Sequence, residues 1–256
     1  MELQNKTAFI TGGASGLGLA TARNFVQSGC KVMLFDMNEQ TLQAAQAELG
    51  DAAAIYAGDV TDEAAVKAAI QAAIEQFGTI HINVNSAGIG GAARTVGRDG
   101  AMPLAKFQHI VNVNLIGTFN VLRLCAEVMQ SNEAQTEDGE RGVIINVASI
   151  AAFDGQTGQA GYAASKGGIV SMTLPIARDL GKRGIRVMCV APGIFETPLM
   201  SAAPAEVREP LIDITQFPKR LGDPVEFASQ VAHIVNCGYL NGEVIRLDAG
   251  VRMPAI

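Results

Sequence analysis

The segment that most constrains the fold lies near the start of the chain. The apolar run at residues 7–10 predicts a buried β-strand, and the glycine-rich residues 11–18 follow it directly. A helix is predicted next, to about Ser28, where Gly29 ends it. Strand, glycine turn and helix in this order are typical of a phosphate cradle, because glycines let the backbone approach a pyrophosphate and the helix amino terminus supplies N–H groups. The spacing differs from the G-x-G-x-x-G pattern, so an ordinary glycine-rich turn remains the alternative.

A regular alternation of strands and helices continues to the end of the chain. Apolar runs predict further strands at residues 31–35, 53–57, 80–84, 142–147, 185–190 and 242–247. Helical stretches separate them, which favours an α/β fold: a doubly wound, seven-stranded parallel sheet of the Rossmann type with helices on both faces. No linker rich in Pro, Ser or Gly interrupts this alternation, so we expect a single domain over residues 1–256.

The composition disfavours several classes of protein. With 48% hydrophobic and 17% charged residues the chain can bury a sizeable core, and a net charge of −6 disfavours nucleic acid or an anionic membrane as the primary partner. No apolar run reaches the ~18 residues that a membrane span needs, and no basic and apolar leader precedes the first strand. We therefore expect a cytoplasmic protein without a metal site, whose scattered cysteines are free and packed as small hydrophobic residues: Cys30, Cys125, Cys189 and Cys237.

An acidic residue stands at the end of the second predicted strand. Asp36 lies about 20 residues beyond the glycines, where a carboxylate can bind the ribose hydroxyls of adenosine and repels a 2′-phosphate. No Arg or Lys stands at Ala14, Ser15 or Met37 to bind that phosphate, so NAD is favoured over NADP as the cofactor. Asp36 is also compatible with a second function, because it could cap the helix predicted at residues 39–49.

The turns after the third, fourth and sixth strands carry further candidates. Asp59 could accept a hydrogen bond from an adenine amino group or belong to a plain turn. The small residues at 85–88 leave room for a cofactor to lie across the fourth strand. The turn that begins at Pro192 could place backbone groups and the Thr197 hydroxyl beside a nicotinamide amide or a phosphate.

A serine, a tyrosine and a lysine form the central candidate site. Ser149 follows the strand predicted at residues 142–147, at the carboxyl end where open α/β sheets bind ligands. Tyr162 and Lys166 lie four residues apart, so on a helix they share one face and can meet the same small ligand.

The sequence also predicts the structure of three longer segments that contain no strand. Residues 104–129 are predicted to form one long helical stretch, in which Asn114 is either a core polar group or part of a proton relay to the lysine. Residues 131–141 are predicted to form an exposed loop. The excursion at about residues 196–218 lacks firm periodicity, which suits either a mobile lid over a substrate pocket or a surface loop.

Together these motifs resemble the short-chain dehydrogenase/reductase family. The resemblance covers essentially the whole chain and consists, in family order, of TGGASGLG at 11–18, Asp36, NSAG at 85–88, Asn114, Ser149, YAASK at 162–166 and the PG turn at 192–193. Within the family, GVIINVAS, ASKGGIVSMTLPIARDLG and NGEVIRLDAG resemble the type II 3-hydroxyacyl-CoA dehydrogenases. Residues 90–103 and 200–216 match that group poorly, and these are the segments expected to face the substrate.

The resemblance implies an enzyme and a function for each matched residue. Ser149, Tyr162 and Lys166 would be catalytic, with Asn114 assisting through a water chain. The Lys166 cation would lower the pKa of Tyr162, which would remove the alcohol proton as hydride leaves for the nicotinamide. Ser149 would hold the substrate oxygen. The residues expected to contact NAD are Gly12, Ser15, Gly16, Leu17, Gly18, Asp36, Asp59, Val60, Asn85, Ser86, Ala87, Gly88, Tyr162, Lys166, Pro192, Gly193, Phe195 and Thr197.

The resemblance also implies a substrate and an assembly. The expected reaction is NAD-dependent oxidation of a 3-hydroxyacyl-CoA thioester, in fatty-acid or branched-chain acyl β-oxidation, by a homotetramer. A hydroxysteroid or another secondary alcohol is the alternative substrate. An NAD-binding scaffold in a protein complex is the alternative from a different class, although the intact Ser/Tyr/Lys set and the charge of −6 disfavour it. The apolar stretches 104–129 and 159–180 could pair across a symmetry axis.

Overall fold

One parallel sheet forms the centre of the molecule. The computed structural model describes residues 1–197, 200 and 204–255. The strands are β1 (Thr7–Thr11), β2 (Lys31–Asp36), β3 (Ala53–Ala57), β4 (Ile82–Asn85), β5 (Gly142–Val147), β6 (Ile185–Pro192) and β7 (Val244–Leu247). Their order is β3-β2-β1-β4-β5-β6-β7, and every neighbouring pair is parallel. The predicted doubly wound, seven-stranded sheet is therefore confirmed.

Helices cover both faces of this sheet. They are α1 (Gly16–Gln27), α2 (Glu39–Leu49), α3 (Glu63–Phe77), α4 (Leu104–Val111), α5 (Thr118–Met129), α6 (Ala160–Gly181), α7 (Ala205–Asp213) and α8 (Pro224–Asn236). On one face α1, α2 and α8 bury Phe25 and Phe227, and on the other α3, α5 and α6 bury Val66 and Leu122. The apolar strands are thus covered on both sides, and the loops at the strand ends form the surface on which a ligand can bind.

The direction in which strands are added reverses between β1 and β4. The chain places β2 and β3 on one side of β1 and then returns to place β4 on the other, so that Thr11 lies opposite Asn85. The loops after β1 and β4 therefore diverge, and a crevice opens at the carboxyl edge between them. Residues 11–18 and 85–88 both border this crevice.

The stretch 104–129 is helical, as predicted, but it is not one regular helix. A π-helical segment, Asn112–Gly117, separates α4 from α5 and contains the fully buried Asn114. A Cβ on Gly117 would lie 2.5 Å from Cγ2 of Val60, so a side chain there would collide with the turn after β3. Single-sequence periodicity does not predict a π-helical turn, because tertiary contacts such as these stabilise it.

The prediction of an exposed loop at residues 131–141 is wrong at Glu140. Its side chain is 8% exposed and accepts hydrogen bonds from the Met1 ammonium at 2.6 Å and from Arg186 Nε at 2.7 Å. The Arg186 guanidinium also donates to three backbone carbonyl oxygens at or just beyond the last turn of α8. These partners stabilise the carboxylate away from water, and because they are distant in the chain, the polar composition of the loop does not reveal them.

Other predictions have mixed outcomes. The four cysteines are free, as expected, and burial raises the pKa of Cys30 to about 12. In the described ranges no helix is long and apolar enough to cross a membrane. Helix α7 occupies part of the excursion at about 196–218, but residues 198–199 and 201–203 lie outside the described residues. The lid hypothesis therefore stays a prediction. The cytoplasmic location also stays a prediction.

Candidate active site

The glycine-rich turn after β1 has a backbone that requires glycine. Gly12 and Gly16 adopt left-handed φ angles of +62° and +51°. A Cβ on Gly12 would lie 2.8 Å from Ala87 N, and a Cβ on Gly18 would lie 2.2 Å from Gly12 O. The Ser15 side chain makes no capping bond, and the first turn of α1 contains no acidic residue. An uncapped helix amino terminus beside a closely packed backbone is suited to bind phosphate, which favours the cradle over an ordinary turn.

Asp36 ends β2 directly beside this turn. Its Oδ2 accepts from the Ala14 N–H at 3.3 Å, and its Oδ1 accepts from the Asn38 N–H at 3.3 Å. The hypothesis that Asp36 caps α2 is wrong, because Asn38 is the cap and accepts from the Thr41 N–H at 3.1 Å. The carboxylate is instead turned towards the glycine turn, where an adenosine ribose is expected.

Asp59 and Val60 follow β3 at the same edge. Asp59 Oδ1 accepts from the Thr61 N–H at 2.8 Å, so this oxygen stabilises a turn, as the plainer hypothesis predicts. Val60 is buried, and its carbonyl oxygen accepts from Asn120 Nδ2 at 2.8 Å. These hydrogen bonds fix both residues in place along one side of the crevice. Contacts between them and adenine stay predictions.

The small residues after β4 form the floor of the crevice. Ser86 Oγ donates to the Thr11 carbonyl oxygen at 2.6 Å, and the Ala87 N–H donates to Thr11 Oγ1 at 3.1 Å. Asn85 is buried, and its Nδ2 donates to the side-chain oxygens of Asn83 and Asn146. These side chains therefore hold β1, β4 and β5 together, so that the backbone at residues 86–88 is what faces the crevice.

Gly88 brings the side chains of Asn114 and Lys166 together. A Cβ on Gly88 would lie 3.1 Å from Asn114 Oδ1 and 3.4 Å from Lys166 Nζ. Asn114 Oδ1 accepts from the Ile89 N–H at 2.8 Å, and its Nδ2 donates to the Ile89 carbonyl oxygen and to Ser165 Oγ, each at 3.0 Å. The Asn114 amide is thus a satisfied core polar group, the first of the two hypotheses, and its relay function stays a prediction.

Ser149, Tyr162 and Lys166 meet at the carboxyl end of β5. Ser149 Oγ accepts from the Ala151 N–H at 3.1 Å, and the Ser149 side chain lies close enough to Tyr162 to lower the pKa of its phenol. Lys166 lies one turn further along α6, with Nζ 5.9 Å from the centre of the Tyr162 ring. The Lys166 ammonium donates to the Val147 carbonyl oxygen at 2.8 Å. The four-residue spacing thus places Tyr162 and Lys166 on one helical face, opposite Ser149.

Burial determines the protonation of this group. It raises the pKa of Tyr162, and the hydrogen bond from Ser149 opposes the rise. It also lowers the pKa of Lys166 to about 8, because the ammonium loses its hydration. The pKa of Tyr162 is thus raised overall, which is opposite to the lowering expected from the neighbouring Lys166. Desolvation of the phenolate by burial is the largest cause of this shift.

The segment after β6 closes the crevice from the other side. It begins with the predicted PG turn at residues 192–193. Phe195 is buried and packs edge-on against Phe227, with ring centres 6.2 Å apart, so its side chain belongs to the core. Cγ2 of Thr197 lies 3.7 Å from the position of a Cβ on Gly16, which brings this segment to the amino terminus of α1. The glycine turn and the end of β6 thus border one crevice.

The residues along this crevice fit a dinucleotide. The closely packed glycine turn suits a pyrophosphate, and Asp36 suits the ribose of adenosine. Lys166 lies at the end of the crevice near Tyr162, where a nicotinamide is expected.

Comparison with known proteins identifies the family. The model of the short chain dehydrogenases matches residues 6–208. The chain belongs to the short-chain dehydrogenase family. A relative named 3-hydroxyacyl-CoA dehydrogenase type-2, from Bos taurus, is 53% identical over 98% of this chain and 97% of its own length. The protein of that name from Homo sapiens is 50% identical over the same shares. The crystal structure of 3-hydroxyacyl-CoA dehydrogenase type-2 from Mycobacterium avium superposes with a TM-score of 0.95, at 40% identity and 98% coverage of both chains.

A cavity adjoins the site of this short-chain dehydrogenase. It has a volume of about 200 Å³ and is lined by residues 89–93, by Lys106 and His109 of α4, and by Gly161, the neighbour of Tyr162. The segment at 90–103, expected to face the substrate, therefore lies beside the predicted catalytic tyrosine.

Four residues that shape the site carry no prediction from the sequence: Asn83, Asn146, Asp154 and Arg246. The two asparagines had a usable signal, since an amide inside a buried strand needs a hydrogen-bonding partner, and here they bond to Asn85. Asp154 and Arg246 had none, because they pair across 92 positions of the chain.

We expect Lys166 to make the stability of this dehydrogenase depend on pH. Its pKa of about 8 lies below the usual 10.5, so the unfolded chain binds this proton more tightly and stability rises with pH between the two values. Relative to Lys166→Met, the free energy of unfolding of the wild type should rise by roughly 2–3 kcal/mol between about pH 7 and about pH 10. Urea titrations of both proteins measure this difference. The thiols and tyrosines contribute equally to the pH dependence of both proteins, so their contributions cancel. A difference that stays constant with pH would contradict the buried, desolvated lysine.

Proposed function

We propose that the protein is an NAD-dependent oxidoreductase that interconverts a secondary alcohol and a ketone, with 3-hydroxyacyl-CoA thioesters as substrates. The observation that carries the proposal is the placement of the Ser149 side chain beside the Tyr162 phenol, whose pKa it lowers, one helical turn from the buried Lys166 ammonium. Two hydroxyls and a cation at the carboxyl edge of the sheet, next to a phosphate cradle, can move a proton on and off an alcohol oxygen.

Tyr162 is the acid and base of this proposal. In the direction of reduction its phenol donates a proton to the carbonyl oxygen, and the raised pKa keeps that proton in place at neutral pH. In the direction of oxidation the phenol must first lose its proton, and the Lys166 ammonium and the Ser149 hydroxyl both stabilise the phenolate. Ser149 Oγ already accepts from the Ala151 N–H, so its own proton can point to Tyr162 or to the substrate oxygen.

The cofactor of the proposal is NAD. When bound, its nicotinamide would accept or return the hydride. Gly12, Ser15 and Gly18 would hold the pyrophosphate at the amino terminus of α1. Asp36 would accept hydrogen bonds from the adenosine ribose and repel the 2′-phosphate of NADP.

The substrate class rests on likeness and on the neighbouring cavity. The relatives at 53% and 50% identity, matched over nearly their full length, are named 3-hydroxyacyl-CoA dehydrogenase type-2. The cavity of about 200 Å³ beside Gly161 has glycine and apolar walls that suit an acyl chain. Lys106 at its edge supplies a positive charge for the phosphate groups of coenzyme A.

A substrate panel tests the reaction and the acid–base residue together. With NAD the protein should oxidise 3-hydroxybutyryl-CoA faster than any of a set of hydroxysteroids, measured by the absorbance of NADH. Tyr162→Phe should reduce kcat by at least about a hundredfold while the Kd for NADH stays within about twofold, since the phenol hydroxyl moves the proton. Tyr239→Phe, which alters a fully exposed tyrosine, is the matched control and should change neither quantity.

Each contrary outcome of the panel points to a different alternative. Faster turnover of a steroid than of the thioester would mean that hydroxysteroids, and not 3-hydroxyacyl-CoA thioesters, are the substrates. Near wild-type turnover by Tyr162→Phe would remove the acid–base assignment. Absence of turnover with every alcohol, combined with a stoichiometric protein partner in a pull-down, would favour the scaffold.

Asp36→Ala should relax the choice of cofactor. Loss of the carboxylate removes both the ribose contact and the repulsion of the 2′-phosphate, so the ratio of kcat/KM for NADP to that for NAD should rise at least about tenfold. Asp51→Ala, at an exposed acid beyond α2, is the control. Equal kcat/KM values for NAD and NADP in the unmodified protein would contradict the assignment of Asp36.

We also propose a homotetramer. Helices α4 and α5 and the π segment between them expose Leu104, Ile116 and Phe119 by 67%, 51% and 46%, beside a groove of about 460 Å³. A second copy of the chain would cover this apolar surface. Light scattering should give the mass of four chains, and Phe119→Glu should lower it, whereas Met37→Glu, at a more exposed site after β2, should not. A monomeric wild type would contradict the proposal.

A further inference from the structure

The loop between Ser149 and α6 decides how the two proposed catalytic hydroxyls meet. Apart from the short 3-10 turn Ile150–Ala152, residues 150–159 form no regular element. Local backbone bonds hold the start of the loop, up to the Asp154 N–H, which donates to the Ile150 carbonyl oxygen at 2.9 Å, and its end, where the Gln159 N–H donates to the Gln156 carbonyl oxygen at 3.0 Å. Other contacts must therefore hold the remainder in place.

Arg246, in β7, makes the strongest of these contacts. Its Nη2 donates to Asp154 Oδ2 at 2.6 Å, and its Nη1 donates to Asp154 Oδ1 at 3.4 Å. Its Nε donates to Asp248 Oδ2 at 2.8 Å, and Nη2 donates also to the Val251 carbonyl oxygen at 3.0 Å. The guanidinium carbon lies 5.0 Å from the centre of the Phe153 ring. Every nitrogen of the guanidinium is thus engaged, and two of the three bond to the loop.

These bonds are largely shielded from water. The side chains of Arg246, Asp154 and Asp248 are 21%, 18% and 9% exposed. A planar guanidinium that bonds both oxygens of one carboxylate also fixes the direction of approach. The contact therefore restrains the loop more than an ordinary surface ion pair does.

The residues after β7 extend the same connection. The N–H and Oγ1 of Thr157 both donate to the Ala255 carbonyl oxygen, at 2.9 and 2.8 Å. On the opposite side, the Ala249 carbonyl oxygen accepts from the Gln216 N–H at 2.9 Å. One segment thus joins the loop before α6 to the excursion that is predicted to cover the substrate.

We propose that Arg246 is a positioning residue of the reaction. Through Asp154 it holds residues 150–159 so that the Ser149 and Tyr162 hydroxyls remain within hydrogen-bonding distance. The inference rests on the function proposed above for these two residues. Without the guanidinium, Asp154 and Asp248 lose their common cation, the loop separates from β7, and the Ser149 and Tyr162 hydroxyls move apart. The same guanidinium holds the pKa of Asp154 below its usual range, so the contact persists over the pH range of an assay.

The test compares Arg246→Met and Asp154→Asn with Arg252→Met. Arg252 is a matched control, because it bonds to the same Asp248 at 3.2 Å but is exposed and does not hydrogen-bond to Asp154. Arg246→Met should lower kcat for alcohol oxidation about tenfold, with the KM for NAD within about twofold, because orientation and not cofactor binding is lost. The pH at which kcat rises should also be higher than in the wild type, because Ser149, which lowers the pKa of Tyr162, is no longer held beside it.

Asp154→Asn removes the charge at nearly constant size and should shift kcat and the pH profile in the same direction. If Arg246→Met does not fold, the kcat and pH profile of Asp154→Asn test the inference instead. Arg252→Met should retain both wild-type kcat and its pH profile. Equal kcat and pH profiles in Arg246→Met and Arg252→Met, with only the free energy of unfolding lowered, would overturn the inference, since Arg246 would then only stabilise the fold.

A second readout separates this inference from the proposed function. If the wild type oxidises no alcohol, the proposed function fails, but amide hydrogen exchange at residues 150–162 and the ultraviolet titration of Tyr162 still test Arg246 in the protein without cofactor. The Tyr162 signal is assigned by its loss in Tyr162→Phe. Arg246→Met should exchange faster in this segment and show a higher pKa for Tyr162. Unchanged exchange and an unchanged pKa would overturn the inference.

Discussion

The ammonium of Lys166, held against the Val147 carbonyl oxygen at 2.8 Å, is the interaction on which the site depends. Only 5% of this residue is exposed, and a buried cation is costly unless polar groups surround it. The lowered pKa of about 8 means that these groups offset the lost hydration only in part. The end of β5, the Asn114 amide and Gly88 must therefore stay together, because each borders the space in which the charge lies.

Buried amides hold this arrangement from below. Asn85 Nδ2 donates to Asn83 Oδ1 in β4 and to Asn146 Oδ1 in β5, one layer beneath the crevice. Such a network fixes the relative height of neighbouring strands, because a shift would leave buried donors and acceptors unpaired. Ser149 and the small residues after β4 are therefore kept at one level. Arg246 of β7 bonds to Asp154 in the loop that leads from Ser149 to Tyr162. Strands β4 and β5 thus position Ser149, and β7 positions the loop before Tyr162.

The fold and much of the crevice could be predicted from the sequence, because they depend on local patterns. The apolar runs at 53–57 and 142–147 coincide with β3 and β5, and the spacing of Tyr162 and Lys166 places them on one face of α6. Properties that depend on distant partners could not be predicted. The π segment depends on Val60, and Glu140 is buried by groups far along the chain.

Electrostatics was the least predictable property of the site. Lys166 four residues from Tyr162 led to the expectation of a lowered tyrosine pKa, yet burial raises it, since sequence spacing gives proximity but not hydration. The segments expected to face the substrate are residues 90–103 and 200–216, where the resemblance is weakest. There the cavity beside Gly161 adds information that no motif supplies.

The carboxyl edge of the sheet holds a desolvated lysine beside the tyrosine. Nuclear magnetic resonance titration of the lysine side chains in the protein without cofactor measures this most directly, with the Lys166 signal assigned by its loss in Lys166→Met. We expect a midpoint near pH 8 for Lys166, well below the 10.5 that is usual for lysine. A midpoint close to 10.5 would show a hydrated ammonium and would contradict the claim.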